Sequence, residues 1–308
     1  MAAGSKWRRL ATEAVHPRSR NLDRLGVEGV VALMQSEDRR AVAAVKAARR
    51  EIVRAAQALR EVHLAGGRCL LFGAGTSGRL AVLEAAELPP TFGTDPRRVR
   101  AFMAGGRGAV FRSREGAEDA RSEGARAAAR ATGRDLVIGV SASSVTPFVR
   151  GALAGARRRG ARTVLLTSHA SGAASGLADV VVALRVGPEV VAGSTRLKAG
   201  TATKLALNQI TTAAFAASGR VYGPWMLDLS RGSAKLRDRA ARTVAAASGA
   251  APAKARRLLS RAGGDMRLAI LMARAGLDLR AARSALASVG GNLRMALESR
   301  RRAPRRRA

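Results

Sequence analysis

Two short hydroxyl-bearing loops hold the residues best suited to chemistry. The first, Gly73-Ala74-Gly75-Thr76-Ser77-Gly78, follows an apolar run and precedes a helical pattern. Its amides and the Thr76 and Ser77 hydroxyls are therefore donors at a helix N-terminus, where an anion is favoured. The Gly73-x-Gly75-x-x-Gly78 spacing is also that of a dinucleotide fingerprint, which needs an acid at the end of the next strand to hold the ribose hydroxyls. That strand ends Phe102-Met103-Ala104-Gly105-Gly106-Arg107, with no acid, and Asp95 precedes it. The second loop, Ser141-Ala142-Ser143-Ser144-Val145-Thr146, brings more hydroxyls and amides from another strand. Two such loops and no ribose acid favour a single phosphate on a sugar over a dinucleotide. Thr76, Ser77, Ser143 and Thr146, with Ser141 as a further candidate, are the expected phosphate ligands. A third segment, Gly193-Ser194-Thr195-Arg196-Leu197-Lys198, has hydroxyls and cations that can complete an anion site. It reads equally as a capped helix start, with Ser194 or Thr195 serving the backbone and Lys198 facing water.

The elements that must position these loops follow from periodicity. Residues 36–67 place Val42, Val45, Ile52, Ala56, Leu59 and Val62 near helical spacing, which predicts one long amphipathic helix capped by Ser36 and stopped by Gly66-Gly67. Short runs rich in Val, Leu and Ile follow at Arg68–Phe72, Val99–Ala104, Asp135–Val140, Arg162–Thr167 and Asp179–Leu184. Ala-rich helical stretches separate them, and the helix after the first run is expected to break at Pro89-Pro90. This alternation predicts an α/β fold, a five-stranded parallel sheet covered by helices on both faces, with ligands at the carboxyl ends of the strands. No strand run appears beyond Gly219. There AGGDMRLAI (262–270) echoes VGGNLRMAL (289–297), each a Gly-Gly stop followed by a capping Asp265 or Asn292. The expected organisation is an N-terminal arm with the start of the long helix over 1–53, a phosphate-binding domain over 54–218, a helical subdomain over 219–299 and a basic disordered tail over 300–308.

With 308 residues the chain can bury a substantial core. Cys69 is its only cysteine, so no internal disulfide is possible, and its apolar setting indicates a packed thiol in a reducing compartment. No apolar leader opens the sequence, and no apolar run approaches the roughly 18–20 residues that span a bilayer. A cytoplasmic protein without membrane contact is the expectation. The formal charge of +33 would favour polyanions. The arginines are scattered along the whole chain, however, and six Phe, two Trp and one Tyr are few for stacking bases. A nucleic-acid contact through the Arg300–Arg307 tail is the disfavoured alternative. His16, His63 and His169 show no metal-ligand spacing.

Six ordered segments carry a specific likeness: Thr12-Glu13 with Asn21-Leu22-Asp23, Gly73–Arg79, Glu87–Gly93, Glu115–Asp119, Gly187–Thr201 and Val221–Gly223. Along nearly its whole length the chain resembles the N-acetylmuramic acid 6-phosphate etherases, lyases of the sugar isomerase (SIS) class with a flavodoxin-like sheet. The resemblance implies removal of the D-lactyl ether from C3 of the phosphorylated amino sugar in cell-wall recycling, giving N-acetylglucosamine 6-phosphate and D-lactate. The chemistry needs one carboxylic acid, one carboxylate base and no metal or cofactor. By motif position Glu87 becomes the proton donor to the lactyl oxygen and Glu118 the base at C2, with Glu115 the competitor for that role. Glu189, Ser194, Thr195, Arg196 and Lys198 join the substrate-binding set, and a homodimer that shares residues between sites is implied. The second loop departs from the family's Ala-Ala-Ser-Gly-Arg-Thr-Pro, with Ser144 in place of glycine and Val145 in place of arginine. Ser230 marks another departure. These differences keep open a regulatory sugar-phosphate binder without catalysis, and an isomerase, as alternatives.

Overall fold

The computed structural model describes residues 10, 12–169, 174, 176–228 and 234–302. Five parallel strands form the sheet: β1 (Cys69–Gly73), β2 (Val99–Met103), β3 (Leu136–Val140), β4 (Arg162–Thr167) and β5 (Val180–Ala183), in the order β2-β1-β3-β4-β5. Each lies within a residue or so of its expected run. β1 and β3 are buried at every position, as strands covered on both faces must be, which is why they read as unbroken apolar runs. Cys69 opens β1, 3% exposed, and burial pushes its thiol up to about 12.

Alternate residues serve opposite faces. Leu70, Phe72, Val137 and Leu165 share one core with Phe148, Val149 and Leu153 of a helix, and the Phe72 and Phe102 rings stack at 4.8 Å across the β1–β2 pair. Leu71, Ile138 and Leu166, equally buried, turn to the other face.

The helices depart from expectation in three places. The single long helix is two, α1 (Gly26–Ala47) and α2 (Arg49–Leu64), broken at Ala48 and begun ten residues earlier. Ser36 is no cap: its hydroxyl donates to the Leu33 carbonyl at 2.7 Å inside α1. Gly66 and Gly67 do follow the end of α2, and Gly67 N–H donates back to the Val62 carbonyl. Secondly, α3 (Gly75–Phe92) carries Pro89 and Pro90 within its last turn instead of breaking before them. Only amide donors of that turn are lost, and Gly93 N–H closes it onto the Pro89 carbonyl at 2.9 Å. Thirdly, two two-residue strands, β6 (Val221–Tyr222) and β7 (Trp225–Met226), pair antiparallel where none was expected.

Between β2 and β3 lie α4 (Gly108–Phe111), a 3₁₀ turn at Ala117–Asp119 and α5 (Arg121–Ala128). Next comes α6 (Pro147–Arg158), to which α5 is pressed backbone to backbone: a Cβ at Gly124 would stand 1.9 Å from the Phe148 carbonyl oxygen. That contact fixes the chain just before α5. α7 (Lys198–Ala217) follows β5, and α8 (Ala234–Ser248), α9 (Pro252–Arg261), α10 (Met266–Ala275), α11 (Leu279–Ala287) and α12 (Leu293–Arg302) complete the described chain.

Two compact units result, Met1–Ala86 with Pro96–Ala214, and Glu87–Asp95 with Phe215–Ala308. The second has its own core of Leu227, Val244, Met266, Ile270, Leu271 and Leu293. Its repeated Gly-Gly segments lead into side-chain caps, Asp265 accepting from Leu268 N–H and Asn292 from Met295 N–H, both at 3.1 Å. Ser230 and residues 303–308 of the basic tail lie outside the described residues. No described helix is long and apolar enough to cross a membrane.

Candidate active site

The strand order reverses direction at β1: the chain leaves it for β2 on one side and returns to β3 on the other. Ligands of such sheets bind in the crevice beyond the carboxyl ends of the two strands at that switch, here β1 and β3. Both hydroxyl loops issue there, the first from β1 into α3 and the second from β3 into α6. Gly73 and Gly78 make the first turn possible, because a Cβ on Gly73 would meet the Gly78 nitrogen at 2.6 Å. The α3 amides and the Thr76 and Ser77 hydroxyls accordingly stand at the crevice, where the helix N-terminus favours an anion.

A cavity of about 310 Å³ occupies this place, lined by Thr76 and Ser77 from the first loop and Ser143 and Thr146 from the second. Ser141 is buried behind them, its hydroxyl 2.8 Å from that of Thr146, which it orients. The cavity also takes Thr195 from the third segment, and Thr12 with Glu13 from the N-terminal arm. The arm is tied to that segment by Gly193 N–H donating to the Thr12 carbonyl at 3.0 Å. On the β2 side the wall is Arg79, Ser113, Arg114, Glu115 and Glu118. Arg79 acts there as a strut, its Nε and Nη2 donating to the Val110 and Ala109 carbonyls at 2.8 and 3.0 Å.

Glu115 and Glu118 are both exposed on this wall, and neither forms an ion pair among the described residues. Glu87 belongs to the second unit, is exposed on α3 and is not among the lining residues. Three residues earlier, Glu84 is buried, accepting from Asn208 Nδ2 at 2.7 Å and Thr211 Oγ1 at 2.6 Å on α7.

The third segment divides sharply. Arg196 is exposed and Ser194 half-buried, both outside the lining. Lys198 neither lines the cavity nor faces water. It is 1% exposed, and its Nζ lies 2.6 Å from Glu37 Oε2. The same oxygen receives His16 Nε2 at 3.1 Å and Arg40 Nε at 3.2 Å. Burial alone would raise the Glu37 carboxyl, but the Lys198 hydrogen bond and the charges of Lys198, His16 and Arg40 hold it below its ordinary value. His16 Nδ1 accepts from Arg18 N–H at 3.2 Å, so Nε2 carries the proton donated to Glu37.

Glu189 is likewise structural in placement. Its carboxylate caps α7, accepting Ala199 N–H at 2.8 Å and Lys198 N–H at 3.1 Å. Burial raises its carboxyl, against the opposing pull of those two amides and the Lys198 charge.

Sequence reasoning missed Glu13, Arg114, His16 and Glu37. For Glu37 a signal existed: it sits on the buried stripe of α1 with Leu33, Ala41 and Ala44, and a charge on a core stripe demands a partner. Glu13 lies in the Thr12-Glu13 segment of the family likeness, whereas His16 and Arg114 depend on tertiary contacts with no local pattern. Among the described residues no cluster of three His, Cys, Asp or Glu side chains stands ready for a metal ion.

The Ser144 departure has a structural counterpart. Its φ is +63°, the left-handed region, which makes it the one described non-glycine residue there. Its hydroxyl is buried and has no hydrogen-bond partner among the described residues.

Comparison with known proteins gives this geometry a family. Residues 51–157 match the model of the glucokinase regulatory protein N-terminal SIS domain. An N-acetylmuramic acid 6-phosphate etherase of Trichormus variabilis is 45% identical over 292 residues, covering 94% of this chain and 95% of that protein. The etherase of Synechocystis is 42% identical over 94% of this chain and 96% of its own. Among solved structures, a phosphoheptose isomerase from Francisella tularensis shares 15% identity, a TM-score of 0.45, 62% of this chain and 98% of its own. With more than two-fifths identity sustained over nearly its full length, the chain belongs to the N-acetylmuramic acid 6-phosphate etherase family.

Proposed function

We propose that this chain is a carbon–oxygen lyase. It converts N-acetylmuramic acid 6-phosphate and water into N-acetylglucosamine 6-phosphate and D-lactate, in the recycling of cell-wall amino sugar. The carrying observation is the juxtaposition in one cavity of a hydroxyl cradle at the β1–β3 switch and a carboxylate on the β2 wall, Glu118, that pairs with no cation among the described residues. At about 310 Å³ the cavity has the size of a small-ligand site.

In this reading Thr76, Ser77, Ser143 and Thr146, with the α3 amides, hold the 6-phosphate. The sugar ring then extends toward β2, bringing C2 and C3 to Glu118. Ring opening gives a C1 aldehyde that acidifies the C2 proton. Glu118 removes that proton, and the C3–O bond breaks with protonation of the departing lactyl oxygen. Water then adds at C3 of the unsaturated aldehyde and a proton returns to C2. Glu118 takes the role of base over Glu115 because of its motif position.

The acid in this scheme is Glu87. Its exposure fits a homodimer in which Glu87 of a second copy reaches the cavity, an arrangement that leaves the carboxylate uncovered in a single chain. Glu189 and Lys198 act behind the site, Glu189 capping α7 and Lys198 joined through Glu37 to His16 of the arm that carries Glu13. Ser194 and Arg196, on the loop that carries Thr195, belong to the substrate-binding set. The decisive experiment incubates the purified chain with N-acetylmuramic acid 6-phosphate and follows D-lactate. Stoichiometric release is expected, and binding without release would reduce the protein to a sugar-phosphate sensor.

A further inference from the structure

The substrate proposed above carries two anions, the 6-phosphate and the carboxylate of the lactyl group. The hydroxyl cradle accounts for one. Three carboxylates, Glu13, Glu115 and Glu118, also line the cavity and repel the other. Something on the wall must offset that repulsion.

The lining contains two guanidinium groups, Arg79 and Arg114. Arg79 is committed, since two of its three nitrogens already hold the α4 carbonyls. Arg114 is placed differently. Its side chain lies over the Gly105-Gly106 turn, with Cδ 3.0 Å from where a Gly105 Cβ would be, and Nη1 donates to the Gly105 carbonyl at 3.0 Å. One end of the fork is thus anchored to backbone, while Nε and Nη2 make no hydrogen bond and no carboxylate pairs with the group among the described residues. A guanidinium fixed at one nitrogen with donors in reserve is preorganised for a carboxylate.

Position selects which anion it meets. The cradle stands over β1 and β3, whereas Arg114 follows β2, on the opposite flank of β1. A hexose held by its C6 phosphate at the first place presents its C2–C3 edge, and the ether at C3, toward the second. We propose that Arg114 binds the lactyl carboxylate and thereby selects substrates whose C3 ether carries an acid. This inference rests on the etherase reading and adds to it a residue that discriminates substrate from product, since N-acetylglucosamine 6-phosphate has no such carboxylate.

The test uses Arg114→Gln and Arg114→Lys in the full chain, with folding checked by circular dichroism. For Arg114→Gln, KM for N-acetylmuramic acid 6-phosphate should rise about 10–100-fold, the loss expected of a charge-assisted hydrogen-bonded pair. The inhibition constant of N-acetylglucosamine 6-phosphate should stay within about twofold, because the phosphate cradle is intact. Arg114→Lys should fall between the parent and Arg114→Gln, keeping the charge without the fork. Equal weakening of substrate and product would assign Arg114 to the phosphate and overturn the inference. So would an unchanged KM, whether kcat falls or not. Absence of lactate release from the unaltered chain would overturn the etherase reading itself, a result separable from failure of the Arg114 substitution alone.

Discussion

The two ends of the sheet use the same kinds of polar residue to opposite purpose. At the amino ends, Asp135 enters β3 only 2% exposed and is saturated. It accepts Arg68 N–H at 2.8 Å, Arg68 Nη2 at 2.6 Å, and the Thr132 amide and hydroxyl at 2.9 and 3.1 Å. Asp179 does the same for β5, taking the Thr163 amide at 2.7 Å and its hydroxyl at 2.8 Å. At the carboxyl ends the ledger is open. Among the described residues the Ser144 and Ser168 hydroxyls are buried without partners, and Glu115 and Glu118 face the cavity unpaired. Satisfied polar groups hold strands in register, and the two cavity carboxylates are left for a ligand. A structural acid is recognised by its full set of donors and a working acid by its lack of them.

Removing an acid from each end breaks or sharpens this contrast. The largest effect belongs to the open end: Glu118→Gln should lower lactate release by roughly 10²–10⁴-fold and abolish exchange of the C2 proton with solvent, with an unfolding midpoint close to that of the parent. Retained exchange would move the base to another residue, Glu115 first.

At the closed end the effect is on stability. Asp135→Ala leaves Arg68 and the Thr132 groups without their acceptor and should cost about 2–3 kcal/mol in urea unfolding, discounted because Arg68 is partly exposed. Turnover per folded molecule should persist. The same site sets an acid limit. Burial alone would raise the Asp135 carboxyl, but the Arg68 and Thr132 donors hold it below its ordinary 3.8. A depressed carboxyl contributes stability that is complete above the ordinary value and is lost as pH falls through the folded one. Glu37 adds to this loss from its ordinary 4.5 downward, while Glu189, raised by burial, works against it. The acid-induced fall in stability should therefore be shallower in Asp135→Ala than in the parent. An equal fall in both would deny Asp135 its part.

The smallest effect is a gain. Ser144→Gly relieves a left-handed backbone and removes a buried hydroxyl without a partner, and should stabilise the chain by about 1 kcal/mol. A loss of stability in the same urea titration would mean that the hydroxyl is satisfied in solution.

What the sequence reveals follows the range of each interaction. The five strands are legible because burial on both faces turns each into a continuous apolar run. The two hydroxyl loops are legible because their donors are contiguous. The break at Ala48 is not, since buried Val45 and Ile52, seven residues apart, keep the helical period intact through it. Ser36 misleads because a serine hydroxyl inside a helix, bonded to the carbonyl three residues back, looks in one dimension like a cap. Lys198 is the clearest case. Beside Arg196 in a polar segment it reads as a cation for the ligand, yet its partner Glu37 lies 161 positions away. Only the folded chain brings the two together. The exposed Glu87 marks the remaining boundary, because what meets an uncovered carboxylate is not written in its own neighbourhood.

The solitary thiol on β1 has a practical consequence. Sealed between β2 and β3 in the middle strand of their trio and held protonated by its surroundings, Cys69 offers alkylating reagents no sulfur until the centre of the sheet comes apart. Labelling by a maleimide thus times the opening of the fold's innermost layer, a native clock that needs no engineered reporter.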